Sequence, residues 1–362
     1  MDINEFKNEC RNAPRLNNLS KFFLSTASGT NGMPLLGEHT ADTSLFLHDA
    51  NVNLFYKFHK NLRGYFDKHF FASIPYVLEE ECRMGSALLN YGISKAYKKN
   101  IPTRIYTLGT AEATMARTIA KLADGKIKTF SCSPTEENRT SFFLYGIPQH
   151  AKFFVGPFCD VDYTLFNSNS EYYDFKNGFD IIVEDTTFQM YSNNRYEQIS
   201  FVKDKLVDDG IFIFVEKFRN KSAEEYMKRE KQKDKLFKSR YFSPEQIELK
   251  KRDVLSVMNN FEVSLLDFCK SLKRIFKNAV IVWNSGNFYT ILASNSQESL
   301  TELISNLIPP CIPSIFCYEQ LPKVLFGLDE VRLEFRNPIK LLDKKSSLSE
   351  YINTNECLGV VK

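Results

Sequence analysis

Two acids, Glu184 and Asp185, stand side by side directly behind the apolar run Ile181-Ile182-Val183. A continuous apolar run of this kind reads as a strand buried on both faces, so the acids mark its carboxyl end. Buried unpaired charge is costly, and adjacent carboxylates there suggest chemistry such as taking a proton, holding a ligand's ammonium, or orienting a nucleophile. The plainer alternative is a carboxylate that caps the next helix. Glu216-Lys217 closes the apolar run 211–215 in the same way, and these two could pair with each other or with neighbours. Upstream, Gly109 sits in a turn between a short strand, 104–108, and a helix of good formers. A second strand follows after Gly125, which makes a right-handed βαβ unit. The start of its helix offers free backbone N–H groups and the positive end of the dipole, a place for a nucleotide-like cofactor. His48, His59 and His69 are each a candidate base, although a lone histidine on a helix is more often structural or exposed.

Composition narrows the field. The chain has 362 residues, 43% hydrophobic and 14% aromatic, with 32 Phe and 17 Tyr, enough for one large domain with additions. A net charge of +3 does not by itself imply nucleic acid. The eight Cys are scattered without a C-x-x-C or a Cys/His cluster of zinc spacing, which predicts reduced thiols and no metal. No apolar run is long enough to span a bilayer, and the start has no basic region followed by an apolar stretch, so the expectation is a cytoplasmic protein.

These residues must be positioned by an alternation of strand and helix over 101–218, the rhythm of a parallel α/β sheet. Strands are expected at 104–108, 127–132, 152–155, 180–184 and 211–216, with helices between them. Residues 279–283 and 288–294 flank a Ser-Gly turn and read as an antiparallel hairpin. Apolar residues recur at helical spacing from Leu54 to Phe71 and again from Val77 to Tyr97. Residues 28–32 could form a lid or a plain surface loop, and 331–335 a short strand. The expected organisation is an N-terminal arm and helix (1–75), a Rossmann-like domain (76–295) with a helical insertion (219–262), and a C-terminal extension (296–362). The Lys-rich segment 221–238, with Lys250-Lys251-Arg252, could track phosphates of RNA or DNA. Its interspersed Glu224, Glu225, Glu230 and Asp234 better suit a solvated helix with i,i+4 pairs.

Parallel strands completed by a hairpin, rather than by a sixth parallel strand, resemble the class I S-adenosylmethionine-dependent methyltransferases over about residues 77–295. The family's acidic-x-Gly-x-Gly-x-Gly turn aligns with Thr107, Gly109, Ala111 and Ala113, so two glycines are replaced by the next smallest residue. The acid that binds the ribose aligns with Ser131, which offers a single uncharged hydroxyl. The resemblance implies S-adenosylmethionine as cofactor, with Thr107, Gly109, Thr110, Ala111, Ser131, Ser133, Phe158 and Glu184 around it. Phe158 would pack on the adenine or stay in the core. Asp185 and Glu184 become the candidate catalytic acids. Gly109→Val is expected to block the cofactor while leaving the protein folded. The wording Tyr-Thr-Leu-Gly-Thr-Ala and Trp283-Asn284-Ser285-Gly286-Asn287 is also similar to uncharacterised methyltransferase-like proteins of large tailed bacteriophages, which would place the chain in a host cytoplasm.

Methyl transfer needs orientation more than special chemistry. Two readings follow. The chain is a methyltransferase whose acceptor is a small molecule, a nucleic acid or a protein. Alternatively, with its turn altered, it keeps the fold as an inactive scaffold or partner-binding module, a phage structural role included.

Overall fold

Successive strand residues point to opposite faces, and here both faces are apolar. Ile105, Ile181, Val183, Ile211 and Ile213 are buried in the core on one side of the sheet. Tyr106, Ile182, Phe212 and Phe214 are buried in the core on the other. The computed structural model describes residues 2–328 and 331–339. The strands are β1 (Thr103–Leu108), β2 (Ile127–Ser133), β3 (Ala151–Val155), β4 (Phe179–Asp185), β5 (Leu206–Lys217), β6 (Asn278–Ser285), β7 (Phe288–Ser294) and β8 (Lys323–Phe326). They form one sheet in the order β3-β2-β1-β4-β5-β7-β6-β8. The pairs β1–β2, β1–β4, β2–β3 and β4–β5 are parallel. β7 is antiparallel to both β5 and β6, and β8 is antiparallel to β6. This is the Rossmann-like sheet with a C-terminal hairpin that the sequence predicts.

The chain winds outward from β1 to β3 and returns to β4, so strand order reverses between β1 and β4. Ligands of open α/β sheets bind outside the carboxyl ends of the strands at such a switch point. Helices Val77–Lys99 and Thr114–Ala123 cover one face; Arg195–Lys203 and Leu265–Lys273 cover the other. The N-terminal helices Ile3–Arg11, Ser20–Ala27 and Tyr65–Phe71 anchor through Phe6, Phe23 and Phe71.

Three expectations need correction. The apolar spacing from Leu54 onward is split between helices Ala50–His59 and Tyr65–Phe71. The break includes Gly64, where a Cβ would stand 2.5 Å from Glu112 Oε1. Residues 331–335 are not a strand; Val331, Leu333 and Phe335 pack irregularly against the core. The eighth strand lies earlier, at β8. The charged helix, expected over 219–237, is Ala223–Leu236 and is not simply solvated: Lys233 within it and Lys238 just beyond it are buried.

Candidate functional site

The loop after β1 is built around three left-handed residues. Gly109 has φ 73°, Ala111 φ 44° and Ala113 φ 57°. An L-residue in that region costs about 1–2 kcal/mol, which is why glycine is its usual occupant. The chain keeps the glycine-like path with alanine at two positions, so the first turn of helix Thr114–Ala123 still opens on the switch point. A side chain at Gly109 is costly. A Cβ there would lie 1.5 Å from Thr187 Oγ1, in the turn after β4. Substituting it collides with the protein, which corrects the expectation that Gly109→Val would fold normally and only block a ligand.

Thr107 and Ser131 face each other across β1 and β2, with hydroxyls 2.7 Å apart, and Thr110 Oγ1 donates to Thr107 Oγ1 at 3.2 Å. Ser131 is buried and does not reach the cavity; its hydroxyl is spent on Thr107. The polar group that does stand at the end of β2 is Asn138. Its Nδ2 donates to Ser133 Oγ at 2.9 Å, and its Oδ1 is buried without a hydrogen-bond partner.

The two adjacent acids have different fates because neighbouring strand residues diverge. Glu184 is fully buried, and its Oε1 accepts from the backbone N–H of Thr187 and from that of Phe188 at 3.0 Å. It caps the turn Phe188–Met190 and lies off the cavity wall. Asp185 lines the cavity with Oδ1 buried and unpartnered. Burial, then Glu81 and Asp67, pushes its carboxyl well above the usual range. The next residue, Thr186, is held at φ 51°.

Asp185 belongs to an acidic wall. Asp67 lines the cavity with Oδ2 unpartnered, its pKa pushed up to about 6, chiefly by burial and then by Glu81. Glu81, raised to about 7 by burial, accepts from or donates to His59 Nε2 at 2.8 Å. Glu112 reaches back from the β1 loop and accepts the Asp67 backbone N–H at 3.0 Å, capping helix Tyr65–Phe71. Burial, then Asp67, raises Glu112 to about 8. After the β4 turn, Gln189 Oε1 is a further buried, unpartnered acceptor on the wall.

A second cluster on the lining is cationic. Lys217, Lys233, Lys238 and Lys250 all reach the cavity from the end of β5 and the insertion. Lys217 Nζ pairs with Glu262 at 2.8 Å and Glu230 at 3.2 Å, and Lys233 with Glu230 at 2.6 Å. Lys238 pairs with Asp234 at 3.2 Å. Glu216, beside Lys217, turns the other way into a buried pair with Arg195 at 2.9 Å. Apolar side chains complete the lining: Phe22, Phe66, Phe70, Met115, Met258 and Phe288.

Of the residues singled out in the sequence, the fold brings Thr107, Gly109, Thr110, Ala111, Ser133, Phe158 and Asp185 to this one cavity. Phe158 does so while packed edge-on against Tyr191 and Phe188, with centroids 4.9 and 5.4 Å away. Ser131 and Glu184 stand behind the wall. Sequence reasoning passed over Asp67, Asn138 and Gln189, and singled out Lys250 only as part of a basic segment that could track nucleic-acid phosphates. An acid on an amphipathic helix or a lysine in a charged run carries no local mark of facing inward. Asn138 alone had a cue, one turn past the β2 end. Among the described residues no group of His, Cys, Asp and Glu could hold a metal, and no helix is long and apolar enough to cross a membrane.

The sequence matches no family model and no curated protein. Among solved structures the chain is similar to the plantazolicin methyltransferase BpumL, in complex with a triazolic desmethylPZN analog and SAH. The TM-score is 0.42 and the identity 15%, over 70% of this chain and 98% of that one. It is similar to the CurJ carbon methyltransferase (TM-score 0.37, 12% identity, 57% of this chain and 52% of that one). A third is the mitomycin 7-O-methyltransferase MmcR (TM-score 0.35, 10% identity, 68% of each chain). None bears on the bacteriophage resemblance.

Proposed function

We propose that the protein is an S-adenosylmethionine-dependent methyltransferase. The observation that carries this reading is a set of four buried acceptor atoms without partners on one cavity wall: Asp67 Oδ2, Asn138 Oδ1, Asp185 Oδ1 and Gln189 Oε1. Buried polar atoms are nearly always satisfied, and a cluster of exceptions points to a ligand that satisfies them. The missing partner must bring donors and positive charge to the switch point of a parallel sheet. S-adenosylmethionine does so, with an ammonium, a sulfonium, ribose hydroxyls and an adenine amine. The left-handed alanines of the β1 loop keep a close approach open beside it.

When bound, this cofactor supplies an electrophilic methyl group on sulfur. The protein's part is orientation, worth up to about 7–11 kcal/mol, together with charge placement. Asn138 takes a ribose hydroxyl, the role the family gives to the acid at the Ser131 position. Asp67 and Gln189 receive the amino-acid end. Asp185 meets the cofactor through Oδ1, and its carboxyl, which readily holds a proton, takes one from a methyl acceptor that must lose it. Glu184 keeps the β4 turn in shape.

Calorimetry or a thermal shift with S-adenosylhomocysteine tests the reading. Ligand at a hundredfold excess over its dissociation constant adds about 2.7 kcal/mol of stability. No shift at millimolar ligand overturns it in favour of an inactive scaffold.

A further inference from the structure

Of the four lysines on this cavity, Lys250 alone has no carboxylate partner among the described residues; Arg15, also on the lining, donates to Thr135 Oγ1 at 2.8 Å and stands over Phe23. Lys217 and Lys233 are matched by Glu230 and Glu262, while Lys238 shares Asp234 with Lys251. Lys250 Nζ instead donates to two neutral groups, His69 Nε2 and Ser73 Oγ, the latter at 2.9 Å. His69 is fixed in that role: its Nδ1–H donates to the Gly32 carbonyl, which leaves Nε2 as an acceptor. Gly32 belongs to the loop 28–32, so this contact ties that loop to the cavity. Burial, with Lys238 and Lys233 nearby and only Asp234 opposing, holds the Lys250 amine well below its ordinary pKa. Lys238 is lowered to about 8 for the same leading reason.

Lysines gathered on an apolar-walled cavity, with one of them lacking a carboxylate, form a receptor for an anion. The carboxylates Asp67 and Asp185 line the same cavity and carry no ion pair with these lysines among the described residues. We propose that the methyl acceptor is a small molecule with an apolar body and an anionic group, carboxylate or phosphate, seated on Lys250 and Lys238. This rests on the methyl-transfer reading above. The apolar body lies among Phe22, Phe70, Met258 and Phe288.

The probes are benzoate, phenyl phosphate and neutral benzamide, titrated calorimetrically into the protein saturated with S-adenosylhomocysteine and, separately, into the free protein. At least one anion should bind at least tenfold more tightly than benzamide; which one does so separates a carboxylate from a phosphate acceptor. At pH 8 its binding should take up protons, seen as an enthalpy that differs between Tris and HEPES buffers. Lys250→Met should weaken that anion at least tenfold and leave S-adenosylhomocysteine affinity within twofold. Anions no tighter than benzamide overturn the inference and leave the methyl-transfer reading standing. A loss of S-adenosylhomocysteine affinity in Lys250→Met also overturns it, because the lysine would then hold the cofactor's own carboxylate. The titration of the free protein decides the anion site even where S-adenosylhomocysteine fails to bind.

Discussion

Replacing Asp185 by Asn should move ligand affinity and free-protein stability in opposite directions. In the free protein one oxygen of this carboxyl is buried without a partner, beside Glu81 and Asp67, which raise its pKa further. The ionised form is disfavoured in the fold, so at pH 8, where an unfolded aspartate is fully ionised, the side chain opposes folding. The amide keeps the shape and discards the charge. A buried unsatisfied polar group costs about 1–3 kcal/mol, and more when charged. For a chain of 362 residues the unfolding entropy is about 0.8 kcal/mol per kelvin, so Tm should rise by about 1–4 °C. Affinity runs the other way. A hydrogen bond to an ionised group contributes about 1.5–3 kcal/mol, so S-adenosylhomocysteine should bind about 10- to 150-fold more weakly. Scanning calorimetry and isothermal titration at pH 8 read both effects on one preparation. A variant that melts higher yet binds unchanged refutes the assignment of Asp185 to the ligand. A variant that melts lower refutes the claim that its charge is uncompensated.

Two further outcomes follow from the same geometry. Gly109→Ala should cost about 2–5 kcal/mol, from left-handed strain plus overlap with Thr187, read as a lower urea midpoint; a variant of unchanged midpoint would show that the β4 turn yields freely. Asp67 has a folded pKa of about 6 against an ordinary 3.8. Its favourable contribution is therefore complete below about pH 4 and is lost as pH rises through 6, by roughly 3 kcal/mol in all. The stability of Asp67→Asn relative to wild type should accordingly increase between pH 5 and pH 8, and a difference flat across that range would remove Asp67 from the acidic wall.

Much of the architecture could be read from local pattern. Continuous apolar runs at Ile181-Ile182-Val183 and 211–215 can only be strands covered on both faces, and the Ser285-Gly286 turn marks the hairpin that fills the far side of the sheet. The β1 turn was legible too, because only small residues at 109, 111 and 113 permit that path. What the amino-acid order could not tell is direction. Glu184 and Asp185 differ by one position, and strand alternation sends one to cap a turn and the other to the cavity. Lys233, Lys238 and Lys250 have the composition of a solvated surface, yet Glu230, Asp234 and Glu262 draw their helices over the strand ends and turn them inward. Asp67 and Glu112 are 45 residues apart, and no spacing rule joins them. Local chemistry chooses strand, helix and turn; long-range packing decides which charges lose their water, and it is that loss which creates a site.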